Sequence, residues 1–391
     1  MFSFALGKSE IFFCAKAGNK SLSVQSPVPV TNEVMRRQLT SPNSRTKPLD
    51  PKSICLIRTS AIGDTVHALG LMNILRQGFP RAHLTWVLQT LPYQMVKYQP
   101  GIDRFITFKR KSGLQDWISF VGHLREQAFD LVIAPQASAK VSFLTFLCRA
   151  KLKLGFDWKR SREWHWMATN LHIPPRPMQH VQDQFLEFAH FLGLEEKFPR
   201  WDFSFTDQEV AWQQEFFSQI ARPAIGLVIT SAHPQKDWST EGYARIVDFV
   251  DHDLNMQPIL IGGPSDREHA MARGIVDRSI CRPLVALEKP IRRTMLHLAG
   301  CRLVVAPDTG PLHIAVALNT PTVGLYGYSN PKRCGPYRFQ DLLVDTYNID
   351  EPEDAPITRK TKPGRMDLIE PEMVMSKIEY GLTTYCKARI N

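Results

Sequence analysis

Short apolar runs that alternate with helical segments are the feature that most restricts how this chain can fold. The first run, ICLIRT at residues 54–59, opens with four apolar residues in a row, as expected for a strand buried on both faces. A helix is predicted from about Asp64 to Gln77. Further strands are predicted at 83–88, 104–108 and 130–135. Strands that alternate with helices predict a parallel, doubly wound sheet.

A second alternating series follows a helix predicted near residues 207–220. Its strands end in small or polar residues and are predicted at 224–229, 258–263, 303–308 and 321–327. Residues 193–205 have little periodicity and are the predicted linker between the two series. The chain is therefore expected to form two Rossmann-like, doubly wound domains that face each other across a cleft. Their predicted bounds are 51–205 and 206–391, and ligands are expected at the carboxyl ends of the strands.

The first 50 residues differ from the rest of the chain. They are rich in Ser, Pro, Asn and Lys without sustained periodicity, which predicts a disordered extension over 1–50. Phe12 and Phe13 are too few to form the apolar region of a signal peptide. An alternative is that translation begins at Met35.

Charge and cysteine content narrow the class of partner and the compartment. The net charge of +10 favours anionic partners such as phosphosugars, nucleic acid or an acidic membrane surface. The seven cysteines show neither a CxxC pair nor metal-ligand spacing, which is typical of a reducing compartment. No apolar stretch reaches the roughly 18 residues that a membrane span needs, so any membrane contact would be peripheral.

The segment VVAPDTGPLHIAVAL at 304–318 is the strongest local signal. Its strand ends at Asp308 and a helix is predicted to begin near Pro311. The amides of Thr309 and Gly310 would then point out of the helix start, where the helix dipole favours a phosphate. His313 lies one turn further and could reach the phosphate or a sugar hydroxyl. The alternative is that Asp308 is only a helix cap and His313 a surface residue.

Two other turns of the second series carry candidate donor-binding groups. Thr230 and Ser231 follow a strand, and Lys236 adds a cation suited to a diphosphate, although it could equally be a solvated loop lysine. After the next strand, Asp266 or Glu268 could bind a ribose diol. First-turn acids that complement the helix dipole are the alternative for both.

Asp64 is the candidate catalytic group of the first series. It lies just past the first strand, where a carboxylate could accept the proton of an acceptor hydroxyl, a role worth typically 10²–10⁴-fold in rate. Thr59 and Ser60 could hydrogen-bond to it, and His67 lies one turn on. A role as helix cap is compatible with a role as base.

Basic residues interleaved with Trp and Phe follow the later strands of the first series. They lie in FKRKSG (108–113), at Lys140, and in GFDWKRSREW (155–164), which contains Arg162. Such runs are usually solvated faces. Here the aromatic residues favour an anionic glycolipid or phosphate, although single-stranded nucleic acid would use a similar mixture.

Taken together, these motifs resemble those of the bacterial lipopolysaccharide heptosyltransferases, glycosyltransferase family 9. RTSAIGDTVHALG resembles the family's T-S-x-x-G-D-x-x-H turn, TSAHPQKDW its phosphate-side loop, and DTGPLHIAVAL its D-T-G-x-x-H helix start. KLGFDWKRSREW and HVQDQF are most similar to the type I enzymes. The resemblance extends from about residue 53 to the C-terminus.

The resemblance implies a GT-B fold and an inverting transfer without metal or cofactor. The donor would be ADP-L-glycero-D-manno-heptose and the acceptor the Kdo or heptose of the lipopolysaccharide inner core, carried on lipid A. Asp64 would be the catalytic base and Lys236 would stabilise the leaving ADP. The other implied donor-side residues are Thr230, Ser231, Asp266, Asp308, Thr309, Gly310 and His313. The implied acceptor-side residues are Ser60, Gly63, His67, Lys140 and Arg162.

The first domain would accordingly bind the acceptor and the second the nucleotide-sugar. The enzyme would be a cytoplasmic monomer in peripheral contact with the inner membrane, without a nucleic-acid partner. Three alternatives remain: a related GT-B transferase with another donor or acceptor, a GT-B-like epimerase, and a non-catalytic basic binding protein.

Overall fold

Two parallel six-stranded sheets form the framework of the described part of the chain. The computed structural model describes residues 49–109, 113–195 and 199–386. The predicted extension therefore lies outside the described residues except for Leu49 and Asp50, and the basic run at 108–113 lies partly outside them.

The first sheet has the strand order β3-β2-β1-β4-β5-β6, with all neighbours parallel. Its strands are β1 (Ser53–Ile57), β2 (His83–Gln89), β3 (Arg104–Phe108), β4 (Ala128–Ile133), β5 (Arg149–Gly155) and β6 (Leu171–His172). The helices of this half are α1 (Ile62–Gly78), α2 (Thr90–Val96), α3 (Leu114–Arg125), α4 (Ala139–Leu147), α5 (His165–Ala168) and α6 (Val181–Phe191).

The second sheet has the order β12-β11-β10-β7-β8-β9 and is also parallel. Its strands are β7 (Ala224–Val228), β8 (Gln257–Gly262), β9 (Leu284–Leu287), β10 (Leu303–Pro307), β11 (Thr322–Tyr326) and β12 (Leu343–Asp345). Its helices are α7 (Asp207–Ser218), α8 (Thr240–His252), α9 (Asp266–Val276), α10 (Ile291–Gly300), α11 (Gly310–Ala317), α12 (Pro331–Cys334) and α13 (Pro371–Tyr385). Short 3₁₀ turns lie at 234–236, 340–342 and 365–368.

Both sheets repeat the Rossmann strand order 3-2-1-4-5-6, counted within each half. The predicted GT-B architecture of two doubly wound sheets is therefore confirmed. In this order successive strands are added toward one edge of the sheet up to the third strand and toward the other edge from the fourth strand on. The point of reversal lies between the first and fourth strands, which are β1 and β4 in one sheet and β7 and β10 in the other. Open sheets bind ligands beyond the carboxyl ends of that strand pair.

The predicted strands match observed ones to within two residues at each end, and four further strands lack a sequence prediction. They are β5, β6, β9 and β12. β5, with the sequence RAKLKLG, alternates polar and apolar residues, so it does not read as a buried parallel strand. The other three have only two to four residues. The helix after β1 begins at Ile62, two residues before the predicted start.

The two halves pack together through the helices that follow β1 and β10. Leu69 of α1 and Leu312 of α11 belong to one continuous cluster of buried apolar side chains. Arg292 of α10 adds a polar contact: it donates to the carbonyls of Met95 and Ser204 and pairs with Glu209 at 2.5 Å. The domain division at residues 205/206 stays a prediction.

The lengths and hydropathy of the helices bear on whether the chain crosses a membrane. Among the described helices, none is both long enough and apolar enough to cross a bilayer.

Candidate active site

The turn after β1 holds Asp64 as the third residue of α1. Its carboxylate accepts a hydrogen bond from the Ala61 amide at 3.1 Å and pairs with the Arg58 guanidinium at 2.5 Å. Ala61, and not Asp64, is the N-cap residue, so the expected cap is in fact a third-residue carboxylate that bonds back to the cap. Thr59 lies beside it but donates its amide to Gln136 at 3.2 Å.

The charge state of Asp64 follows from these contacts. Burial alone would raise the pKa of Asp64, but the Arg58 charge and the Ala61 amide outweigh it and hold the pKa below its usual range. A third of the side chain remains exposed. Asp64 is therefore an ionised carboxylate that a ligand can reach.

Asp64 borders a cavity of about 220 Å³ that lies between the turns after β1 and β4. Four arginines share its lining with Asp64, namely Arg58, Arg160, Arg333 and Arg359. The first two come from the first half of the chain and the other two from loops of the second half. The cavity is thus built by both halves at the position where the fold predicts a ligand.

The cavity carries more positive charge than its own acids balance. Arg160 is paired with Asp157 and, at 2.8 Å, with Glu187. By contrast, burial and the charges of Arg333, Arg162 and Arg58 lower the pKa of Arg359. Excess cationic charge of this kind favours an anionic ligand.

Unpartnered polar atoms in the same lining support that reading. The Nε atoms of Arg58 and Arg333 and the Oγ of Ser138 are buried without a hydrogen-bond partner among the described residues. Buried polar groups are normally paired, so a site that leaves several unpaired is suited to receive a polar ligand.

The turn after β10 is organised differently. Asp308 accepts hydrogen bonds from Lys236 at 2.6 Å and from Ser329 at 2.6 Å. Burial would raise the pKa of Asp308, but His313 and Lys236 lower it far below its usual range. Lys236 is therefore anchored, whereas the sequence suggested a mobile cation.

The remaining predicted donor-side hydroxyls and acids lie at the ends of β7 and β8. Thr230 is buried and donates to Glu268 at 3.3 Å, and Ser231 donates to Asp237 at 2.9 Å. Glu268 also accepts the amide of Gly263 at 2.5 Å and forms a capping box with Ser265. Asp266 is exposed at the start of α9.

His313 joins the two turns. A Cβ added to Gly63 of α1 would lie 2.6 Å from Cδ2 of His313, and a Cβ at Gly310 of α11 would lie 2.7 Å from Cβ of Ile62. The Nε2 of His313 lies 3.9 Å from Oδ1 of Asp308. Both glycines therefore permit close contact between α1 and α11, and their predicted roles in ligand binding stay predictions.

The other predicted acceptor-side residues, Ser60, His67, Lys140 and Arg162, are not among those that line the cavity. His67 is buried against His313, with ring centroids 4.8 Å apart, and its Nδ1 lies 2.7 Å from Oε1 of Gln182. Ser60 is half-buried in the turn after β1. Lys140 lies over the Phe108 ring at 5.5 Å, and Arg162 is exposed but close enough to affect the pKa of Arg359. Their roles in binding stay predictions, as do those of the donor-side residues.

Comparison with known proteins decides the family. The model of glycosyltransferase family 9 (heptosyltransferase) matches residues 117–360. The lipopolysaccharide core heptosyltransferase OpsX of Haemophilus influenzae is 30% identical over 298 residues, which cover 76% of this chain and 85% of that protein. This chain belongs to glycosyltransferase family 9.

Two further similarities agree with that assignment. Lipopolysaccharide heptosyltransferase 1 of Salmonella typhimurium is 24% identical over 73% of this chain and 91% of its own length. The Escherichia coli heptosyltransferase WaaC, solved with ADP, shares the fold with a TM-score of 0.66 at 20% identity, over 84% of this chain and 99% of that one. The protein is therefore an enzyme that transfers a glycosyl group.

The sequence prediction for this glycosyltransferase missed three arginines of the cavity. Arg58 carried a usable signal, because it directly precedes the Thr-Ser turn at the end of β1. Arg333 lies in PKRCG, in the loop after the strand predicted at 321–327, whereas Arg359 lies in ITRKTK, far from any predicted strand. Only the packing of the two halves brings these loops to the cavity.

One cluster of metal-ligand residues lies apart from this site of the glycosyltransferase. Asp251, His252 and Cys281 place one ligand atom each within 4.8 Å of one another. Asp251 is paired with Arg222 at 2.5 Å, and none of the three lines the cavity.

Proposed function

We propose that this glycosyltransferase transfers a heptose, with inversion, from ADP-L-glycero-D-manno-heptose to the Kdo or heptose of the lipopolysaccharide inner core. The observation that carries the proposal is the ionised Asp64 at the edge of an arginine-rich cavity. The names of the similar proteins, a lipopolysaccharide core heptosyltransferase and lipopolysaccharide heptosyltransferase 1, support the sugar and the pathway.

In this proposal Asp64 is the general base. It accepts the proton of an acceptor hydroxyl while that oxygen attacks the anomeric carbon of the donor. The bond between the anomeric carbon and the diphosphate breaks on the opposite face, and ADP leaves with the bonding electrons. One base on the acceptor side and one charge-stabilising group on the donor side are what such a step requires.

The donor diphosphate would bind at the start of α11, beside Lys236. Lysine has three N–H donors, so Lys236 can keep its bond to Asp308 and still reach a phosphate oxygen. Thr309 makes no side-chain cap bond to α11, which leaves its hydroxyl to a ligand, and the helix dipole favours the negative charge. The WaaC structure with ADP supports ADP as the nucleotide.

The acceptor would place an anionic group among the cavity arginines. Kdo is an acidic sugar, and a guanidinium binds a carboxylate through two parallel hydrogen bonds. Arg333 and Arg359 are the candidates, because Arg160 is already paired with Asp157 and Glu187, and Arg58 with Asp64. We further propose that the enzyme is a cytoplasmic monomer that works at the surface of the inner membrane, where a lipid A–Kdo acceptor resides.

A donor panel tests this function. Purified enzyme is incubated with a Kdo-lipid A acceptor and ADP-heptose, or with UDP- or GDP-linked sugars, and the acceptor mass and released nucleotide are both measured. The proposal predicts a heptose mass increment with ADP-heptose alone, together with tighter binding of ADP than of UDP or GDP. Transfer from a UDP-linked sugar would instead support a related GT-B transferase. A changed donor without any acceptor would support an epimerase.

A further inference from the structure

A group of exposed apolar side chains lies on α4, on α5 and in the loop that leads to α5. Its members, here called the aromatic patch, are Phe143, Phe146, Trp158, Trp164 and Met167, each between 54% and 79% exposed. α4 packs against α5, and the Glu163 carboxylate ties the intervening loop to the start of α4, so the members of the patch lie on neighbouring segments. Single exposed apolar residues are normal, but a contiguous group of large ones marks an interaction site.

The helix pattern of α4 is that of a segment with two apolar faces. Val141, Leu144 and Cys148 bury one face against the first sheet. Phe143 and Phe146, three residues apart, lie together on the other face. Folding of α4 requires only the buried face, so the exposed phenylalanines call for a different explanation.

The backbone at Trp164 points the same way. Glu163 and Trp164 adopt positive φ angles of 50° and 63°, a region that residues with side chains rarely occupy. The Glu163 carboxylate accepts the amide of Ala139 at 2.6 Å and so ties this loop to the start of α4. Unfavourable backbone angles of this kind cluster at functional sites, and here they accompany a tryptophan that is 73% exposed.

The charges around the patch identify the kind of partner. Residues 139–172 contain seven Lys and Arg against two acids. Lys151 and Lys159 are exposed, and Lys153 lies against the backbone of Phe146 with a bond of 3.1 Å to its carbonyl. Tryptophan and lysine together are typical of surfaces that lie in the interface of an anionic bilayer. A second copy would bring two basic surfaces together.

The segments that carry the patch also contribute residues to the cavity. Ser138, the residue before α4, and Phe156, two residues before Trp158, both line it. A ligand that enters the cavity past α4 would therefore approach from the side that carries the patch.

We propose that the aromatic patch inserts into the interface of an anionic phospholipid bilayer and holds the cavity mouth at the level of the head groups. The docking itself does not depend on the reaction catalysed, whereas its purpose, capture of a lipid-linked acceptor, rests on the proposed function. The acceptor sugar then reaches Asp64 while its lipid stays in the membrane.

Sedimentation with vesicles tests the docking without donor or acceptor. The full chain is mixed with vesicles of phosphatidylglycerol and phosphatidylcholine, or of phosphatidylcholine alone. Phe146→Ser combined with Trp164→Ser should weaken binding to the anionic vesicles by roughly tenfold or more, because much apolar area leaves the interface. Ile280→Ser, which alters an 82% exposed apolar residue outside the patch, should bind like the wild type.

Lysine variants separate the electrostatic contribution to vesicle binding from the apolar contribution. Lys151→Gln and Lys159→Gln should each weaken binding to anionic vesicles about fivefold and have little effect with phosphatidylcholine alone. Thermal unfolding of every variant, compared with the wild type, shows that the fold is intact.

Two results would overturn the proposal. One is wild-type vesicle binding by the Phe146→Ser, Trp164→Ser variant. The other is that the wild type forms an oligomer and this variant is a monomer, since the patch would then join two copies.

Transfer to a water-soluble acceptor should be unchanged in the variant, and transfer to a membrane-embedded acceptor should fall. If the wild type transfers no heptose but binds anionic vesicles, and the variant loses that binding, the proposed function would be refuted and the docking proposal would stand.

Discussion

The two sheets have the same strand order, yet the turns at their ligand-binding edges differ in their charge balance. In the second half the acids have internal partners: Asp308 pairs with Lys236, and Asp237 with Arg267. In the first half Asp64 is paired with Arg58, but it also faces a cavity where arginines outnumber the acids and where some buried polar atoms lack a partner among the described residues.

The difference in charge balance indicates how each turn would bind its ligand. A turn that is already neutralised can bind a diphosphate through positioned amides and one lysine with spare N–H groups. A turn with surplus positive charge gains when an anion arrives. Donor and acceptor would therefore bind by different electrostatic means on equivalent edges of equivalent sheets.

The largest expected effect is the loss of the base on the acceptor side. Asp64→Asn should reduce kcat by about 10²–10⁴-fold, because an amide cannot accept the proton. ADP affinity should be unchanged, since the donor turn is intact. The measurement is transfer rate together with ADP titration, and Asp116→Asn, an exposed acid of α3, is the control. Near-normal turnover in Asp64→Asn would remove this residue from the chemistry.

On the donor side, Lys236→Gln should weaken ADP binding by about 10–100-fold, the value of one charge-assisted hydrogen bond. The same change leaves the buried Asp308 without its cation, so the free energy of unfolding should also fall. Calorimetric titration and denaturant unfolding measure the two effects. Wild-type ADP affinity in a folded variant would place the diphosphate elsewhere.

The contact between the two turns can be tested through its glycines. Gly310→Ala should destabilise the protein by about 1–3 kcal/mol, because its Cβ would lie 2.7 Å from Cβ of Ile62 and force α1 and α11 apart. Gly122→Ala in α3 is the matched control, since its Cβ would meet no described atom within 4 Å. That control should be neutral or stabilising by about 0.5–1 kcal/mol. Equal stabilities of the two variants would contradict the close packing.

A cation of the acceptor cavity should behave in the opposite way to Lys236. Arg359→Met should raise the KM for the acceptor several-fold and leave ADP affinity unchanged. Its unfolding free energy should stay equal or rise, because the repulsion from Arg333, Arg162 and Arg58 is removed. Acceptor kinetics and thermal unfolding check both parts. A marked loss of stability would show that Arg359 is a structural residue.

Much of this architecture was predictable from short-range pattern. Apolar runs located eight strands, and their order along the chain was enough to predict two parallel sheets. β5 was missed because RAKLKLG mixes lysines into a strand whose early residues are exposed. Local pattern also identified the acids at strand ends, since the residue after a buried strand is fixed by the strand itself.

The rest of the site depends on packing between distant segments. Arg333 follows a predicted strand end, but no local pattern near Arg333 or Arg359 indicates that their loops reach Asp64, some 270 and 295 residues away. The glycines illustrate the same limit. The sequence assigned Gly63 to the acceptor side and Gly310 to the donor side, but it could not show that their nearest neighbours, His313 and Ile62, come from the opposite half of the molecule.

The smallest expected effect concerns pH. Because the pKa of Asp64 lies below its ordinary value of 3.8, this base stays ionised as pH falls from about 8 to about 5, and kcat/KM should lose no activity through its protonation. Burial lowers the pKa of His180 to about 4, so the folded state binds fewer protons than the unfolded chain below 6.5. Stability should therefore fall as the pH drops from 6.5 to about 4, and the loss of activity in acid should coincide with unfolding, which circular dichroism measures.

In Arg58→Gln the pKa of Asp64 should rise, because burial is no longer offset by the Arg58 charge. Activity should then fall on the acid side of the pH profile while the protein is still folded. An unchanged pH profile in that variant would show that the Arg58 pair does not set the charge of Asp64.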